Sequence, residues 1–250
     1  MFDLPTLAAI VCAFLIAGTV KGVIGLGLPT VSLGLLILFI DLRAAMALLL
    51  IPAFATNVWQ AAVGGNGWAI MRRLWPFFVM TTVTVWIGVA LLTRINLAVL
   101  ATLLGVLLIA YAALNLAGAR LAVNYRQETW VGVLAGTTNG VLTGMTGSSV
   151  VPGVLYLQSV GLPRDTLIQA MGLLFTATTF ALAVSMQGHG LLSINLGLLS
   201  GISLLPAIAG MVLGRWVRQQ LSEVLFRRVF FLALLALGIF IAVRAIAGAG

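Results

Sequence analysis

The chain has 250 residues and a formal net charge of +8, with 62% hydrophobic and only 7% charged residues. A soluble domain carries about a quarter charged residues, so this composition excludes a water-soluble globular protein. Apolar stretches recur along the whole chain, and several approach the roughly 20 residues that span a bilayer as a helix. The alternation of polar and apolar residues that is typical of barrel strands is absent. The sequence therefore predicts an all-α polytopic membrane protein.

The positive charge lies mostly on arginines in short loops between the apolar segments. There it orients the protein and contacts anionic lipid head groups, so we expect no nucleic acid as a partner. Cys12 is the only cysteine and lies in an apolar run, which excludes disulfides and a cysteine metal cluster. We expect no metal and no other cofactor. The first 20 residues lack the positive start of a secretory signal, so we expect them to be retained.

The apolar segments form two similar sets along the chain. We place them at 6–20, 29–40, 44–63, 75–92 and 96–117, and then at 130–142, 150–161, 166–186, 191–213 and 227–247. A polar stretch with Arg120 and Arg126 separates the sets at 118–129. Each set has two short segments followed by three of spanning length. This order predicts a first repeat at 1–117, a linker at 118–129 and a second repeat at 130–250.

The residues at the start of each set repeat as well. Residues 17–24 read AGTVKGVI and residues 135–142 read AGTTNGVL, so Lys21 and Asn139 occupy equivalent positions. Both copies continue into glycines and a proline, and an arginine-bearing turn follows each second segment, at Arg43 and Arg164. A duplicated unit explains both the order of the segments and the repeated residues.

Loop charges indicate how the repeats are oriented. Arg72 and Arg73 follow the first full span of repeat one, whereas the matching loop of repeat two, 187–190, has no lysine or arginine. The next loop of repeat one has Arg94 alone, but in repeat two it has four arginines, Arg215, Arg218, Arg227 and Arg228. Because positive loops face the cytoplasm, equivalent loops lie on opposite sides and the repeats are inverted. The linker is then cytoplasmic, and both termini are periplasmic in a bacterial inner membrane.

The short segments that open each repeat are predicted to form hairpins. At about 12–15 residues they are marginal for crossing a bilayer as helices. We therefore expect each pair to enter the membrane and return on the same side, which gives six full spans and two opposed hairpins. Crossing is the open alternative. It leaves the orientation unchanged, because two segments add an even number of crossings.

Glycine and proline break the helix in each hairpin. The first break reads Gly25-Leu26-Gly27-Leu28-Pro29, and the second lies within 144–152. Such backbone persists at membrane depth only where protein or a water-filled cavity surrounds it. A helix that begins there directs free N–H groups and a positive dipole end toward the cavity, as in many secondary transporters. The alternative is that the glycines only allow close helix packing.

The charged residues indicate the sign of a ligand. Lys21 is the only lysine, and a cation within the bilayer indicates a site unless its side chain reaches a head group. The five acids lie at segment ends or in loops, at Asp3, Asp41, Glu128, Asp165 and Glu223. Hydrogen-bond donors with one cation and no acid favour an anion. Sodium held by carbonyls and hydroxyls alone stays open. An inside-negative potential favours outward movement of an anion.

The candidate substrate-binding residues come from both breaks and from the first full span. They are Lys21, Gly22, Gly25, Gly27, Thr30, Asn57, Asn139, Gly144, Thr146, Gly147, Ser148 and Ser149. Other polar residues within the spans either line the pathway or form interhelical hydrogen bonds. They are Gln60, Gln158, Gln169, Thr176, Thr178 and Thr179. His189 lies between glycines in a loop, so we expect neither a metal site nor a proton relay there.

The glycine motifs resemble those of the TauE/SafE family, bacterial membrane proteins described as sulfite exporters. The resemblance rests on the first motif with Arg43, on the second motif, 144–152, with Arg164, and on the duplicated apolar domain. It covers nearly the whole chain and implies export of sulfite, sulfoacetate or a related organosulfur anion. The other classes considered are a non-transporting membrane scaffold and an intramembrane enzyme. The lack of a His, Cys and acid constellation opposes an enzyme.

Overall fold

The computed structural model describes residues 3–118, 122–220 and 222–247 of the protein. Arg120 of the predicted linker lies outside the described residues. Within the described ranges the chain is helical and contains no strand, which confirms the predicted all-α class. In the described part of the chain, seven helices are long and apolar enough to cross a membrane, so the protein is a multi-pass membrane protein.

The helices follow one another with short connections. They are α1 (Leu4–Ile24), α2 (Leu28–Leu36), α3 (Leu42–Ala62), α4 (Gly67–Val83), α5 (Val85–Arg94), α6 (Leu97–Leu116), α7 (Glu128–Thr146), α8 (Leu155–Ser159), α9 (Arg164–Gly188), α10 (Ile194–Gln220) and α11 (Glu223–Ala247). A 3₁₀ turn, Tyr125–Gln127, precedes α7, and a π-helical turn, Val150–Val154, precedes α8. Helices α4 and α5 together form one candidate span, Gly67–Arg94, with a break at Thr84.

The first segment of each repeat is longer than predicted. Helix α1 has 21 residues and is one of the seven candidate spans, while α7 has 19 residues. The prediction that both opening segments of a repeat are short was therefore wrong for the first segment of each repeat. The six predicted full spans are all among the seven candidate spans, and the return of the hairpins to the same side stays a prediction. The prediction stopped the first segments at 20 and 142, where polar residues and glycines begin. The helices continue because these residues are buried against neighbouring helices, so they do not face lipid.

The second segment of each repeat is short, as predicted. Helix α2 has nine residues, and the matching stretch, Val150–Ser159, is also too short to be a candidate span. Each repeat therefore begins with a long helix, a break, and a short helix. The inverted orientation of the repeats stays a prediction.

The first of two compact units contains Met1–Pro52, Ile95–Gly118 and Leu192–Gly250. Within it α1 packs along α10, and α6 packs along α11. The α1–α10 contact is close because both helices present glycines to each other. Gly18 and Gly22 of α1 face the α10 backbone, and Gly210 and Gly214 of α10 face the α1 backbone. Such small residues are typical of helix packing in membranes, where backbones approach closely.

The second unit contains Ala53–Arg94 and Ala119–Leu191. Within it α7 packs on both α4 and α5, and α9 also contacts these two helices. Three glycines of α7 make this contact possible, at Gly136, Gly140 and Gly144. A side chain at any of them would collide with the backbone of α4 or α5. The second unit therefore uses the same close packing as the first.

In each unit, the first helix of one predicted repeat packs on a helix of the other repeat. Helix α1 of repeat one packs on α10 of repeat two, and α7 of repeat two packs on α4 and α5 of repeat one. The first helix of each repeat thus lies against the second full span of the other repeat. Equivalent helices of the two repeats thus have equivalent neighbours, in agreement with the similarity of the two sequence halves. Neither compact unit coincides with one repeat.

Candidate functional site

Two left-handed glycines form the first break. Gly25 ends α1 with φ +85°, and its N–H donates a hydrogen bond to the Lys21 carbonyl oxygen (2.8 Å). Gly27 precedes α2 with φ +107°. Residues with a Cβ rarely adopt these angles, so glycine is needed at both positions. Leu26 between them is buried. The turn therefore offers backbone groups and no polar side chain of its own.

Helix α2 begins directly after this turn and leaves backbone donors unused within the helix. Its first internal backbone bond runs from the Val31 N–H to the Gly27 carbonyl oxygen (2.8 Å). The N–H groups of Leu28 and Thr30 precede that bond and have no partner within the helix, and Pro29 has no N–H. The Thr30 side chain is buried. The start of α2 is thus a place where an anion could accept hydrogen bonds.

Lys21 lies in the last turn of α1, just before the break. Its side chain is 4% exposed within the protein. A lysine that reached out to a lipid head group would be exposed on the protein surface, so this burial favours an internal role for the charge. Its neighbour Gly22 has a different role, because it faces Met211 and Gly214 of α10. Gly22 supports helix packing, which is the alternative that the sequence left open.

The second break ends α7 with one left-handed glycine. Gly147 has φ +75°, and its N–H donates to the Thr143 carbonyl oxygen (2.7 Å). Ser148 and Ser149 follow, and both side chains are buried. The Thr146 hydroxyl donates to the Leu142 carbonyl oxygen (2.7 Å) and accepts from the Ser148 N–H (3.3 Å). This break therefore carries hydroxyl groups where the first break carries only backbone.

Three buried hydroxyls meet beside the second break, and we call Thr143, Ser149 and Thr178 the hydroxyl cluster. The Thr143 and Ser149 oxygens are 2.8 Å apart, and the Ser149 and Thr178 oxygens are 3.2 Å apart. Thr178 was singled out in the sequence as a residue of the pathway or of interhelical contacts. Thr143 was not among the candidate site residues, although it lies between the repeated residues 135–142 and the second break at 144–152.

The Ser148 hydroxyl differs from its neighbours. Its oxygen is fully buried and has no hydrogen-bond partner among the described residues. A buried hydroxyl without a partner costs about 1–3 kcal/mol, so such groups are rare unless a ligand or water satisfies them. Of all the candidate residues at the second break, Ser148 is the one whose side chain is unused within the described protein.

Asn139 connects α7 with two other segments. Its Nδ2 donates to the Thr81 hydroxyl oxygen of α4 (2.6 Å), and its Oδ1 accepts from the Gly153 N–H (3.0 Å). The residue is fully buried. It therefore fixes the returning segment after the break to both α7 and α4. Thr81 was missed in the sequence because nothing marks it there except a hydroxyl within an apolar span.

The remaining candidates serve packing or lie buried elsewhere. Gly144 faces Val85 and Gly88 of α5, so it has the same packing role as Gly22. Asn57 is fully buried in the part of α3 that belongs to the second unit. Gln60 donates to the Ile168 carbonyl oxygen (2.8 Å), which is one of the interhelical hydrogen bonds considered for this set.

Gln169 forms a second interhelical bond of the same kind, from its Nε2 to the Ala61 carbonyl oxygen (2.8 Å). Its Oε1 accepts from the Asn66 N–H (2.9 Å). His189 ends α9 and lies at the adjoining turn, as predicted. Gln60 and Gln169 stabilise the contact between α3 and α9, and within the described part of the chain their hydrogen bonds do not reach the break.

An ion pair between a buried carboxylate and a partly exposed arginine lies at the start of α7, and the sequence did not predict it. Glu128 accepts two hydrogen bonds from the Arg73 guanidinium, one of them from Nε (2.9 Å). The Arg73 Nη2 also donates to the Val160 carbonyl oxygen (3.0 Å). The Tyr156 hydroxyl donates to the Glu128 carbonyl oxygen (2.8 Å). The pair therefore joins α4, α7 and the end of the returning segment.

The candidate residues thus form two groups. Lys21, Gly25, Gly27 and Thr30 surround the first break in the first unit, and Thr146, Gly147, Ser148 and Ser149 surround the second break in the second unit. A multi-pass helical protein with buried, polar, broken helices has the features of a secondary transporter. No curated protein and no solved structure gives a significant match to the chain.

The family is nevertheless clear from the sequence profile. Residues 10–241 match the family described as sulfite exporter TauE/SafE, and this match covers nearly all of the 250 residues. The chain belongs to the TauE/SafE family. This is a family of membrane transporters described as exporters of sulfite and other anions, which act on small molecules in the lipid bilayer.

Proposed function

We propose that this protein exports a small sulfur-containing anion, such as sulfite, sulfoacetate or another organosulfonate, across the inner membrane of a bacterium. The observation that carries the proposal is the pair of buried breaks in a chain of the TauE/SafE family. Broken helices place polar backbone at membrane depth, and transporters use such positions to bind their substrates.

At the first break, Lys21 and the N–H groups of Leu28 and Thr30 are the proposed anion ligands. Lys21 supplies a positive charge in a buried environment, where an ionic hydrogen bond is stronger than in water. The glycines at 25 and 27 let the chain turn within three residues, so that α2 begins close to the last turn of α1. Neither glycine needs to touch the anion.

At the second break, the Ser148 hydroxyl is the proposed ligand for the anion. Asn139 holds this segment in place through its two hydrogen bonds, and we propose that it positions the site without binding the substrate. Gly22 and Gly144 act in the same indirect way, by allowing the helices that carry the breaks to pack closely.

Outward movement of the anion is the proposed direction. An inside-negative potential favours the exit of an anion by about 2.3 kcal/mol per charge per 100 mV, so efflux needs no coupled ion. The cytoplasmic linker and periplasmic termini that the loop arginines predict belong to the same proposal.

Sulfite efflux from proteoliposomes tests this function. We expect the wild-type protein to release trapped sulfite, and Lys21→Met to slow this release at least about tenfold, because a substituted neutral side chain removes more than about 1.4 kcal/mol of ionic binding. Arg72→Met is the control, since it removes an exposed positive charge outside the breaks and should leave the rate within about twofold. Wild-type protein that moves neither sulfite nor organosulfonates would contradict the proposal.

A further inference from the structure

The hydroxyl cluster has more oxygen contacts than hydrogens. The Thr143 hydroxyl donates to the Asn139 carbonyl oxygen (2.7 Å), and the Thr178 hydroxyl donates to the Leu174 carbonyl oxygen (2.9 Å). Each hydroxyl carries a single hydrogen, so both threonines direct lone pairs toward Ser149. The one hydrogen of Ser149 can satisfy either the Thr143 contact at 2.8 Å or the Thr178 contact at 3.2 Å, but not both.

A backbone carbonyl adds to this excess of lone pairs. The carbonyl oxygen of Ser148 lies 3.4 Å from the Thr143 hydroxyl oxygen. Contacts of 2.8–3.4 Å therefore link four oxygens, and the Ser149 hydrogen is the one left to serve them. Thr143 is in the last turn of α7, where the helix dipole is negative and favours a cation. Lone pairs without hydrogens and a helix C-terminus are both features that attract positive charge.

The cation that fits such a place is monovalent. Calcium and magnesium are bound in proteins mainly through carboxylates. Among the described residues no carboxylate belongs to this cluster, and Glu128, the acid of α7, is at the opposite end of that helix and paired with Arg73. Unwound carbonyls and helix C-terminal ends bind sodium in secondary transporters, and the hydroxyl oxygens of this cluster offer neutral lone pairs of the same kind.

We propose that Na⁺ binds between the hydroxyl oxygens of Thr143, Ser149 and Thr178 and the carbonyl oxygen of Ser148. This inference rests on the proposed function in one respect: the charge of the ion would help to hold the anion near the Ser148 hydroxyl. The first break has Lys21 as a source of positive charge, whereas the equivalent residue of the second break is the neutral Asn139. Bound sodium would supply the charge that the second break lacks.

Thermal unfolding of the purified protein in detergent tests the site directly. Sodium chloride is replaced stepwise by potassium chloride or choline chloride at constant ionic strength, and Tm is followed by tryptophan fluorescence. We expect a saturable rise of roughly 2–4 °C that requires sodium, because a ligand that binds only the folded protein stabilises it. The absence of a sodium-specific rise in the wild-type protein would overturn the proposal.

Four variants separate ion binding from general stability. Thr143→Val and Thr178→Val remove one ligand oxygen each and should abolish the sodium-dependent rise, while Thr143→Ser keeps the oxygen and should retain it. Thr176→Val is the matched control, because its hydroxyl donates to the Gly172 carbonyl oxygen of its own helix. If Thr178→Val does not fold, the comparison of Thr143→Val with Thr143→Ser still tests the site. An unchanged sodium response in both valine variants of the cluster would contradict the site.

Sulfite efflux in sodium or choline buffer distinguishes this inference from the proposed function. We expect sodium to lower the KM for sulfite at least about threefold, and Thr143→Val to remove that dependence. Efflux that is independent of sodium, in a protein without a sodium-dependent Tm, would reject the ion site and leave anion export standing. A sodium-dependent Tm in a protein that moves no anion would reject anion export and leave the ion site standing.

Discussion

Ser148 and Asn139 are both fully buried at the second break, but their hydrogen bonding differs. The Asn139 side chain has partners for both its oxygen and its nitrogen, whereas the Ser148 hydroxyl has none among the described residues. At the scale of single residues, this difference separates a structural role from a binding role. It also gives opposite expectations for the effect of each residue on stability.

Replacing Ser148 by alanine should impair transport without destabilising the protein. The change removes a buried hydroxyl that has no partner, so the free energy of unfolding should fall by less than about 0.5 kcal/mol or should rise. Sulfite efflux should slow several-fold, because a donor to the anion is lost. Ser32→Ala is the control, because it removes a buried hydroxyl that does have a partner. The Ser32 hydroxyl donates to the Leu28 carbonyl oxygen (2.7 Å). Unchanged efflux together with a large loss of Tm in S148A would show that Ser148 is structural.

Replacing Asn139 by leucine should destabilise the protein. The change leaves the Thr81 hydroxyl and the Gly153 N–H without their partner, which we expect to cost about 1–3 kcal/mol, measured by thermal or denaturant unfolding in detergent. Adding Thr81→Val to Asn139→Leu should recover part of that loss, because one of the unpaired groups is then removed. Additive losses in the double variant would argue against a bond between these two side chains.

Some of these residues could be predicted from the sequence and others could not. The serines at 148 and 149 were found because hydroxyls next to glycines mark a break. Thr81 was not found, since its bond to Asn139 joins residues 58 positions apart and no local pattern encodes that contact. For Gly22 the sequence left two interpretations open, substrate binding and helix packing. A glycine at a break and a glycine in a helix contact look alike in a single sequence.

At the scale of helices, the bounds were predictable where a polar residue or a turn marks the end. Helix α6 was predicted at 96–117 and is found at Leu97–Leu116. Helix α1 was stopped too early, because a lysine in an apolar run looks like the end of a span. Lys21 is buried within the first unit, and the helix continues to Ile24. That burial is a tertiary effect, which a local pattern does not encode.

The close packing of α7 on α4 and α5 can be tested with one glycine. In Gly140→Ala the added methyl group would meet the Thr81 carbonyl and the Thr84 hydroxyl, so the helices must separate. We expect a loss of about 1–3 kcal/mol in unfolding free energy, as for other overpacked contacts. Gly197→Ala in α10 is the control, because nothing lies near its added methyl group and alanine favours a helix.

Stability of G140A equal to that of the wild type would mean that α7 does not approach α4 so closely. G197A should be as stable as the wild type or slightly more stable. The two variants make the same chemical change within a helix, so their difference measures the contact and excludes helix propensity as the cause.

At the scale of the whole molecule, the inverted orientation of the repeats is the prediction that matters most for transport. Inversion would bring equivalent helix ends to opposite membrane faces, and it follows from loop arginines alone. The first full span of repeat one ends near Val63, ahead of Arg72 and Arg73. The first full span of repeat two ends at Gly188, ahead of a loop without lysine or arginine.

Single cysteines at these two ends test the orientation in a Cys12→Ser background. Val63 is exposed, and an added Cβ at Gly188 meets no neighbour, so both positions tolerate the change. A membrane-impermeant maleimide should label Gly188→Cys in intact spheroplasts. It should label Val63→Cys only after the spheroplasts are permeabilised. Labelling of both from the same side would make the repeats parallel. In that case the two breaks could not enter from opposite faces. An alternating-access mechanism in which two inverted repeats exchange conformations would then be excluded.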